Sequence, residues 1–367
     1  MADITVANLH KRFDRFVAVK NSTFTINDGE FFVLLGPSGC GKTTTLRMIA
    51  GLELPTSGQI KIEGDDVSFL RASQRDIAFV FQMFALYPHM NVRQNISFPL
   101  KCQGVARAEI KERVAEVADI LRIEHLLDSP VGGLSSGDKQ RVSLGRAIIR
   151  KPQAFLMDEP LGALDSEFRH LMCSELKELH NRMGATTVYV THDQLEAMSM
   201  ADKIMVMNHS VIEQVGAPQF IYDFPNTIFV AKFLGEPSMN IIEFEGNVAQ
   251  GADSVCINSI KIAVARIVEG VQTKKLALGV RPEHVSLVEF SHLKGMIDAV
   301  EYLGTTQVLT INSMIGKLKA RVDSHIDVER GQQVYLQLNP EHTSVFDRET
   351  DQVIMNTRYE EAYHAQA

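Results

Sequence analysis

Four short segments in the first part of the chain are almost entirely apolar. They span residues 31–35, 77–81, 153–157 and 188–190, and runs of this length are typical of strands buried inside a sheet. Residues 105–150 carry apolar positions at the three- and four-residue spacing of amphipathic helices. The pattern therefore predicts an α/β fold with a central sheet.

The segments on either side of this region have other patterns. Residues 3–35 alternate apolar and polar positions around a turn signal at 27–29, which predicts antiparallel strands leading into the central sheet. Residues 204–207 and 211–215 have the pattern of a closing hairpin, and residues 217–234 have that of a helix.

The pattern changes at the Gly-Glu-Pro-Ser break of residues 235–238, which predicts a domain boundary. The β runs that follow are short and separated by turns, as in a small barrel or sandwich. They lie at residues 261–264, 275–280, 296–302, 307–312, 317–322 and 333–338. We therefore predict one domain over 1–235, a small all-β domain over 236–350, and a frayed polar tail over 351–367.

A glycine-rich loop directly follows the first apolar strand. Its sequence, Gly36-Pro37-Ser38-Gly39-Cys40-Gly41-Lys42-Thr43, fits the phosphate-binding pattern G-x-x-x-x-G-K-S/T, and Thr44 opens a predicted helix. The glycines let backbone N–H groups curl round a phosphate, and the helix N-terminus adds positive potential. We expect Lys42 to reach the β- and γ-phosphates and the Thr43 hydroxyl to bind Mg²⁺.

The other apolar strands end next to polar residues that suit the same chemistry. Gln82 follows the second strand, Asp158 and Glu159 follow the third, and His192 follows the fourth. In a P-loop protein such an Asp holds Mg²⁺ and such a Glu polarises the attacking water, while a Gln binds Mg²⁺ or holds that water. The alternatives are a solvated Gln, a surface acidic pair and a structural His.

Three features leave alternatives open. Residues 134–140 open a helix that runs to about residue 150, and Ser135 or Ser136 is a good N-cap, so this turn need be no more than a cap. Either Phe13 or Phe16 stacks on an adenine ring, or both are packing residues. Cys40 is either a thiol that ATP protects from alkylation or a buried, inert one.

Composition narrows the class of protein. The 367 residues are 45% hydrophobic and 22% charged, as in an ordinary globular protein, and the net charge of −8 disfavours a nucleic-acid partner. The four cysteines are far apart without metal-ligand spacing, so we expect free thiols in a reducing cytosol. We find no signal-peptide pattern and no apolar run of about 20 residues, and we expect a soluble chain that docks on a membrane protein.

Taken together, these motifs resemble the ATP-binding subunits of ABC transporters. The order of the motifs carries the resemblance: the glycine loop, Gln82, the 134–140 signature, Asp158-Glu159, Asp165 and His192. Residues 79–89, 233–240 and 278–284 are similar to the branch that imports sugars, polyols and glycerol 3-phosphate. The resemblance implies a P-loop nucleotidase (RecA-like) core with an antiparallel β subdomain and a helical signature subdomain at about 85–150. An OB-like, TOBE-type regulatory domain follows.

The resemblance also implies ATP and Mg²⁺ as cofactors and a role for each matching residue. Phe13 stacks on adenine, Glu159 is the general base, His192 is the γ-phosphate switch, and Gln82 is the lid residue that senses the γ-phosphate. Ser135 and Gly137 bind the γ-phosphate of a second ATPase subunit, so that two chains sandwich two ATP molecules. The phosphate and Mg²⁺ binders are Gly36, Pro37, Ser38, Gly39, Cys40, Gly41, Lys42, Thr43 and Thr44, with Gln82 and Asp158 as further metal-site residues.

The implied partners are two membrane permease subunits, an external solute-binding protein and a second ATPase subunit, identical or not, at the cytoplasmic face of the membrane. The signature departs from the usual Leu-Ser-Gly-Gly-Gln, because Ser136 replaces a glycine and Asp138 replaces the glutamine. Rival interpretations are a soluble ABC ATPase of repair or translation and a solute-responsive regulator. The solute is not encoded in these motifs.

Overall fold

The computed structural model describes residues 2–81, 85–162, 164, 166–271 and 274–365, without the side chains of Glu167 and Phe168. Two residues singled out from the sequence, Gln82 and Asp165, therefore lie outside the described part of the chain. The chain forms two compact units, Met1–Pro218 and Gln219–Ala367.

The first unit contains a central six-stranded sheet, a four-stranded sheet and a set of helices. Its strands are β1 (Ile4–Phe13), β2 (Phe16–Ile26), β3 (Phe31–Leu35), β4 (Ser57–Ile62), β5 (Asp65–Asp66), β6 (Ile77–Val80), β7 (Ala154–Asp158), β8 (Thr186–Thr191), β9 (Lys203–Asn208) and β10 (Val211–Gly216). Its helices are α1 (Lys42–Ile49), α2 (Val92–Cys102), α3 (Arg107–Leu121), α4 (Ser136–Ile148), α5 (Ser166–Met183) and α6 (Gln194–Met200).

The central sheet has the strand order β10-β9-β3-β8-β7-β6. Strands β9, β3, β8, β7 and β6 run parallel, and β10 pairs with β9 in the antiparallel direction. Every residue of β3, β7 and β8 is buried, which explains why these strands read as continuous apolar runs. Because parallel strands end at one edge of a sheet, the residues that follow β3, β7 and β8 meet there.

The four-stranded sheet, with the order β2-β1-β4-β5, is the predicted antiparallel subdomain. Its inner face and the central sheet share one apolar core, in which the rings of Phe24 and Phe32 stack with centroids 5.7 Å apart. Leu46 and Ile49 of α1 are also fully buried in this core. The helix that follows the glycine loop is therefore fixed by burial of its apolar side.

The second unit is mainly antiparallel β, as predicted. Its strands are β11 (Asn240–Glu245), β12 (Ser254–Ile257), β13 (Ile260–Ala263), β14 (Lys275–Val280), β15 (Val285–Val288), β16 (Leu293–Tyr302), β17 (Thr306–Ser313), β18 (Gly316–Asp323), β19 (Gln333–Leu338) and β20 (Thr343–Asp347). They form sheets in the orders β11-β14-β20, β12-β13 and β15-β19-β16-β17-β18 around a large apolar core, and a smaller buried apolar cluster lies at Ala231, Met239, Ala277 and Phe346.

The division between the units lies earlier than residues 235–238. The helices α7 (Pro218–Asp223) and α8 (Ile228–Phe233) belong almost wholly to the second unit. The buried Arg281 guanidinium explains this, because it donates hydrogen bonds to the carbonyl oxygens of Tyr222 (2.8 Å), Ala231 (3.2 Å) and Leu234. Gly235 and Pro237 mark the end of a helix inside this unit rather than the start of the unit.

The prediction of a frayed tail is wrong for most of its length. Residues Thr357–His364 form helix α9, in which Asn356 is the N-cap and Tyr359 is fully buried. The Tyr359 hydroxyl lies 2.9 Å from the Ser344 hydroxyl and donates to the carbonyl oxygen of Pro225 at 3.1 Å. A single aromatic anchor therefore orders a segment whose overall composition is polar.

Candidate active site

The glycine loop at residues 36–41 packs so closely against neighbouring backbone that a side chain at Gly41 would clash. Gly41 has a φ of 108°, and a Cβ atom there would lie 2.3 Å from the carbonyl oxygen of Ala18. Gly41 is also the N-cap of α1, and no side chain caps that helix end. The first N–H groups of α1 therefore point toward the loop without a side-chain acceptor, which suits an anion.

Lys42 lies inside this loop. Its side chain is buried, and Nζ donates to the carbonyl oxygens of Gly36 at 2.8 Å and Pro37 at 2.9 Å. The loop thus surrounds the Lys42 ammonium group. Phosphate oxygens can replace the two carbonyl oxygens as its hydrogen-bond acceptors. This is a suitable resting position for a cation that contacts phosphate oxygens when they are present.

Thr43 and Asp158 meet at the end of β7. The Thr43 hydroxyl donates to Asp158 Oδ1 at 2.8 Å, and the Arg47 guanidinium lies 3.8 Å from Asp158 Oδ2. Burial raises the pKa of the Asp158 carboxyl, and the hydrogen bond from Thr43 opposes that rise. A nearby cation favours the ionised carboxylate, so the pair would be stabilised by a metal ion.

The oxygen donors of Thr43 and Asp158 fit Mg²⁺, which prefers hard oxygen ligands and keeps several waters. Among the described residues, no group of three or more His, Cys, Asp or Glu side chains is placed to hold a metal by itself. The two residues are therefore suited to a metal ion that takes its other ligands from phosphate and water.

Glu159 and His192 face each other at the ends of β7 and β8. The Nδ1 atom of His192 lies 3.2 Å from Oε2 of Glu159. Glu159 has a left-handed φ of 44°, which costs a non-glycine residue about 1–2 kcal/mol, and its N–H donates to the Val190 carbonyl oxygen at 3.1 Å. Strained backbone of this kind clusters at functional sites, and nothing in the sequence signalled it.

The signature loop begins helix α4 on the surface of the unit. Ser135 is the N-cap, and its hydroxyl oxygen accepts a hydrogen bond from the Asp138 N–H at 3.2 Å. The same hydroxyl donates to Asp138 Oδ2 at 2.6 Å. Gly137 is buried behind this turn. The structure thus confirms the predicted cap, and it also shows the Asp138 carboxylate bound to the hydroxyl expected to contact a phosphate.

Phe13 and Phe16 lie at the turn between β1 and β2, and both rings are exposed, Phe13 by 42% and Phe16 by 59%. The Lys11 ammonium lies 4.6 Å from the centroid of the Phe13 ring. Neither ring packs in the core, which excludes the packing alternative within this unit. Stacking of Phe13 on adenine stays a prediction.

Cys40 is a residue of the glycine loop, and its side chain is only 3% exposed. Burial raises the pKa of its thiol, and the neighbouring Lys42 ammonium opposes that rise. A protonated, covered thiol reacts slowly with alkylating agents. The structure therefore favours the inert alternative for Cys40.

Arg75 is a structural residue of the site that sequence reasoning missed. Its buried guanidinium donates to the carbonyl oxygens of Met48 (2.6 Å) and Ile49 (2.7 Å) at the end of α1, and to that of Ser68 (3.2 Å). Burial lowers the pKa of Arg75 to about 10. The only sequence signal is an arginine just before a buried strand. The contact fixes the far end of the helix that the glycine loop begins.

The comparisons with known proteins cover both units. Residues 19–162 match the family model described as ABC transporter, and residues 278–346 match the one described as TOBE domain. No helix among the described residues is long and apolar enough to cross a membrane.

Curated relatives match along nearly the whole chain. The trehalose/maltose import ATP-binding protein MalK of Thermococcus litoralis is 42% identical, with 96% of this chain and 100% of the relative covered. The sn-glycerol-3-phosphate import ATP-binding protein UgpC of Ruegeria sp. is 43% identical, with 95% and 98% covered. The solved ATP-binding cassette MJ0796, a dimer in a post-hydrolysis state bound to ADP and phosphate, is 30% identical with a TM-score of 0.53. It covers 59% of this chain and 98% of its own. The chain therefore belongs to the ATP-binding subunits of ABC importers that carry a C-terminal TOBE domain.

Proposed function

We propose that this chain binds ATP with Mg²⁺ at the glycine loop and hydrolyses it at Glu159, as one half of an ATPase dimer. The observation that carries this proposal is the convergence of two pairs on one sheet edge. Thr43 and Asp158 are joined at 2.8 Å, and Glu159 and His192 at 3.2 Å. The first pair supplies oxygen ligands for a metal ion, and the second supplies a base and a donor for the reacting phosphate.

Each residue of the chain then has a distinct task. Lys42 exchanges the loop carbonyls for phosphate oxygens, and the free N–H groups at the start of α1 bind the same phosphates. Mg²⁺, when bound, neutralises phosphate charge and fixes the geometry of transfer. The Glu159 carboxylate orients the attacking water and accepts its proton. His192, hydrogen-bonded to Glu159, contacts the γ-phosphate in this proposal.

The second half of each site comes from another ATPase subunit in this proposal. The exposed Ser135 is the N-cap of α4, with Gly137 in the first turn, and the solved cassette MJ0796 is itself a dimer. The second subunit is either an identical chain or a similar ATPase. Assembly with two membrane permeases and a solute-binding protein places it at the cytoplasmic face of the membrane.

The transported solute is proposed from the relatives' names alone. They are named for import of trehalose and maltose and of glycerol 3-phosphate, and for transport of sulfoquinovosyl glycerol. We propose a sugar, a polyol, glycerol or glycerol 3-phosphate as the class of solute for this chain.

The proposal is tested with Glu159→Gln in the purified full-length chain. The variant should bind ATP normally and hydrolyse it about 10²–10⁴-fold more slowly, because the general base is lost while the phosphate contacts remain. Steady-state phosphate release gives the rate, and fluorescent-nucleotide titration gives the affinity. Glu116→Gln, on the exposed side of α3 beside Lys151, is the matched control and should behave like the parent. Near-parental turnover in Glu159→Gln rejects the proposed base.

A further inference from the structure

The turn that carries His192 is braced on both of its sides. On one side, the Thr191 hydroxyl donates to Glu196 Oε2 at 2.7 Å and accepts from the Asp193 N–H at 3.0 Å. On the other side, Asp193 Oδ1 caps α6 by accepting from the N–H groups of Leu195 (2.8 Å) and Glu196 (3.3 Å). His192 therefore lies between two residues, Thr191 and Asp193, whose side chains are both held by hydrogen bonds.

Arg169, in the first turn of α5, connects this turn to the segment that follows Glu159. Its Nη1 donates to Asp193 Oδ2 at 3.1 Å, and its Nη2 donates to the Leu164 carbonyl oxygen at 2.9 Å. Its Nε lies 3.6 Å from Glu196 Oε1. One guanidinium group thus spans two segments that are far apart in sequence and that flank Glu159 and His192.

The charge of Arg169 is needed where it lies. Asp193 and Glu196 present two carboxylates to the same small volume, and the Glu196 side chain is only 5% exposed. Burial raises the pKa of the Glu196 carboxyl, and the nearby Asp193 charge raises it further, while Arg169 opposes the rise. Without the guanidinium, the carboxylates of Asp193 and Glu196 would repel each other at the turn that carries His192.

We propose that Arg169 is a positioning residue for ATP hydrolysis, which holds His192 opposite Glu159 by bridging Asp193 and the Leu164 carbonyl. This inference rests on the roles proposed above for Glu159 and His192. Arg169 does not itself touch the reacting atoms, because its three nitrogens are directed at Asp193, Leu164 and Glu196. Its effect should therefore appear in the rate of the chemical step and not in nucleotide affinity.

The first experiment compares two substitutions of Arg169 in the full-length chain. Arg169→Met removes both the charge and the bridge, and kcat for ATP should fall about 10- to 100-fold, since a misplacement of about 1 Å is enough for such a loss. KM for ATP should change less than about twofold, because the glycine loop is untouched. Arg169→Lys keeps the charge but lacks the planar fork that bridges the two segments, so its kcat should recover only in part and lie between those of the Met variant and the parent.

Arg182→Met is the matched control. Arg182 lies on the same helix and pairs with Glu178 at 2.8 Å, away from the site, and its loss should leave kcat unchanged. A thermal melt of every variant checks the fold. Parental kcat in Arg169→Met, or full recovery in Arg169→Lys, overturns the bridging role.

A double-mutant cycle separates failure of this inference from failure of the proposed function. If Arg169 acts through His192, Arg169→Met should lower the residual rate of His192→Ala by less than about twofold, measured with radiolabelled ATP. If the two substitutions lower the rate multiplicatively, Arg169 does not act through His192, and only this inference is wrong. If His192→Ala has near-parental turnover, the proposed role of His192 is wrong as well. If Arg169→Met does not fold, Asp193→Asn keeps the oxygen that caps α6 and weakens the ion pair. It should reproduce the fall in kcat in smaller measure.

Discussion

Two helix N-termini of the first unit, those of α1 and α4, are both expected to meet phosphate, and they are built in opposite ways. At α1 the cap is Gly41, no side chain caps the helix, and the cationic Lys42 lies within the loop. At α4 the cap is Ser135, its hydroxyl is bonded to Asp138, and a carboxylate occupies the first turn.

This difference indicates which of the two helix N-termini can accept a phosphate without first breaking a side-chain hydrogen bond. The α1 terminus keeps its N–H groups for a ligand and forgoes the stability that a side-chain cap would contribute. The α4 terminus stabilises itself, because Ser135 caps it and Asp138 opposes the helix dipole. In the proposed dimer, a phosphate at α4 would displace the Ser135–Asp138 hydrogen bond and approach a negative charge, so we expect this loop to be stable but poorly prepared for phosphate.

Among the variants that test this comparison of the two helix N-termini, Lys42→Met is expected to have the largest effect. Loss of one charge-assisted contact of about 1.5–3 kcal/mol should weaken ATP binding about 10- to 100-fold, measured by isothermal titration. Lys139→Met, in the first turn of α4, is the counterpart, and ATP affinity should change less than about twofold. Equal losses in the two variants would contradict the assignment of initial binding to the α1 terminus.

A smaller effect, of opposite sign, is expected at α4. Ser136→Gly with Asp138→Gln removes the carboxylate from the first turn and frees the Ser135 hydroxyl. Steady-state phosphate release at saturating ATP and low salt should rise up to about tenfold, because like charges a few ångströms apart cost about 1–4 kcal/mol. An unchanged or lower rate would mean that Asp138 turns toward solvent in the dimer.

The capping bond itself is expected to affect stability more modestly. Ser135→Ala should lower the free energy of unfolding of the first unit by about 1 kcal/mol, because the Asp138 N–H loses its acceptor. The urea midpoint of the full-length chain reports the change, with Ser136→Ala as the control at the neighbouring position. If both variants have the parental midpoint, the cap seen here is not maintained in solution.

The smallest effect is expected at Cys40, beneath the α1 terminus. A brief maleimide treatment should label the exposed Cys102 and Cys256 and leave Cys40 unmodified, with ATPase activity unchanged, because burial keeps the Cys40 thiol covered and protonated. Peptide mass mapping identifies the labelled sites. Rapid labelling of Cys40 that ATP prevents would instead show that the loop opens without nucleotide.

Much of the fold follows from local patterns. The run at 31–35 is β3 without change, and the hairpin at 204–215 is β9 and β10. Continuous apolar runs predict strands that are buried on both faces, and the glycine motif predicts the helix that follows it in sequence. The residues at the strand ends were predictable for the same reason, since parallel strands place their carboxyl ends together.

The unpredicted features depend on contacts between distant segments. Arg75 contacts the end of α1, and Arg169 contacts the turn after β8, yet nothing near either arginine in the sequence indicates its partner. The tail was misjudged because one buried tyrosine, Tyr359, outweighs a polar composition. The left-handed conformation of Glu159 is likewise imposed by its surroundings rather than by its residue type.

The outward position of the α4 terminus has a genetic consequence. In the proposed dimer, the Ser135 turn of one chain completes the site of the other. A mutation in that turn therefore impairs hydrolysis at the site on the partner chain and not at the site on the mutated chain. A signature-loop allele and a Glu159 allele expressed in the same cell would complement, because every mixed dimer has one intact site and one site that carries both defects. Two alleles of Glu159 would never complement. The allele pairs that restore growth on the transported solute would thus reveal, without any structure, that each site is shared between chains.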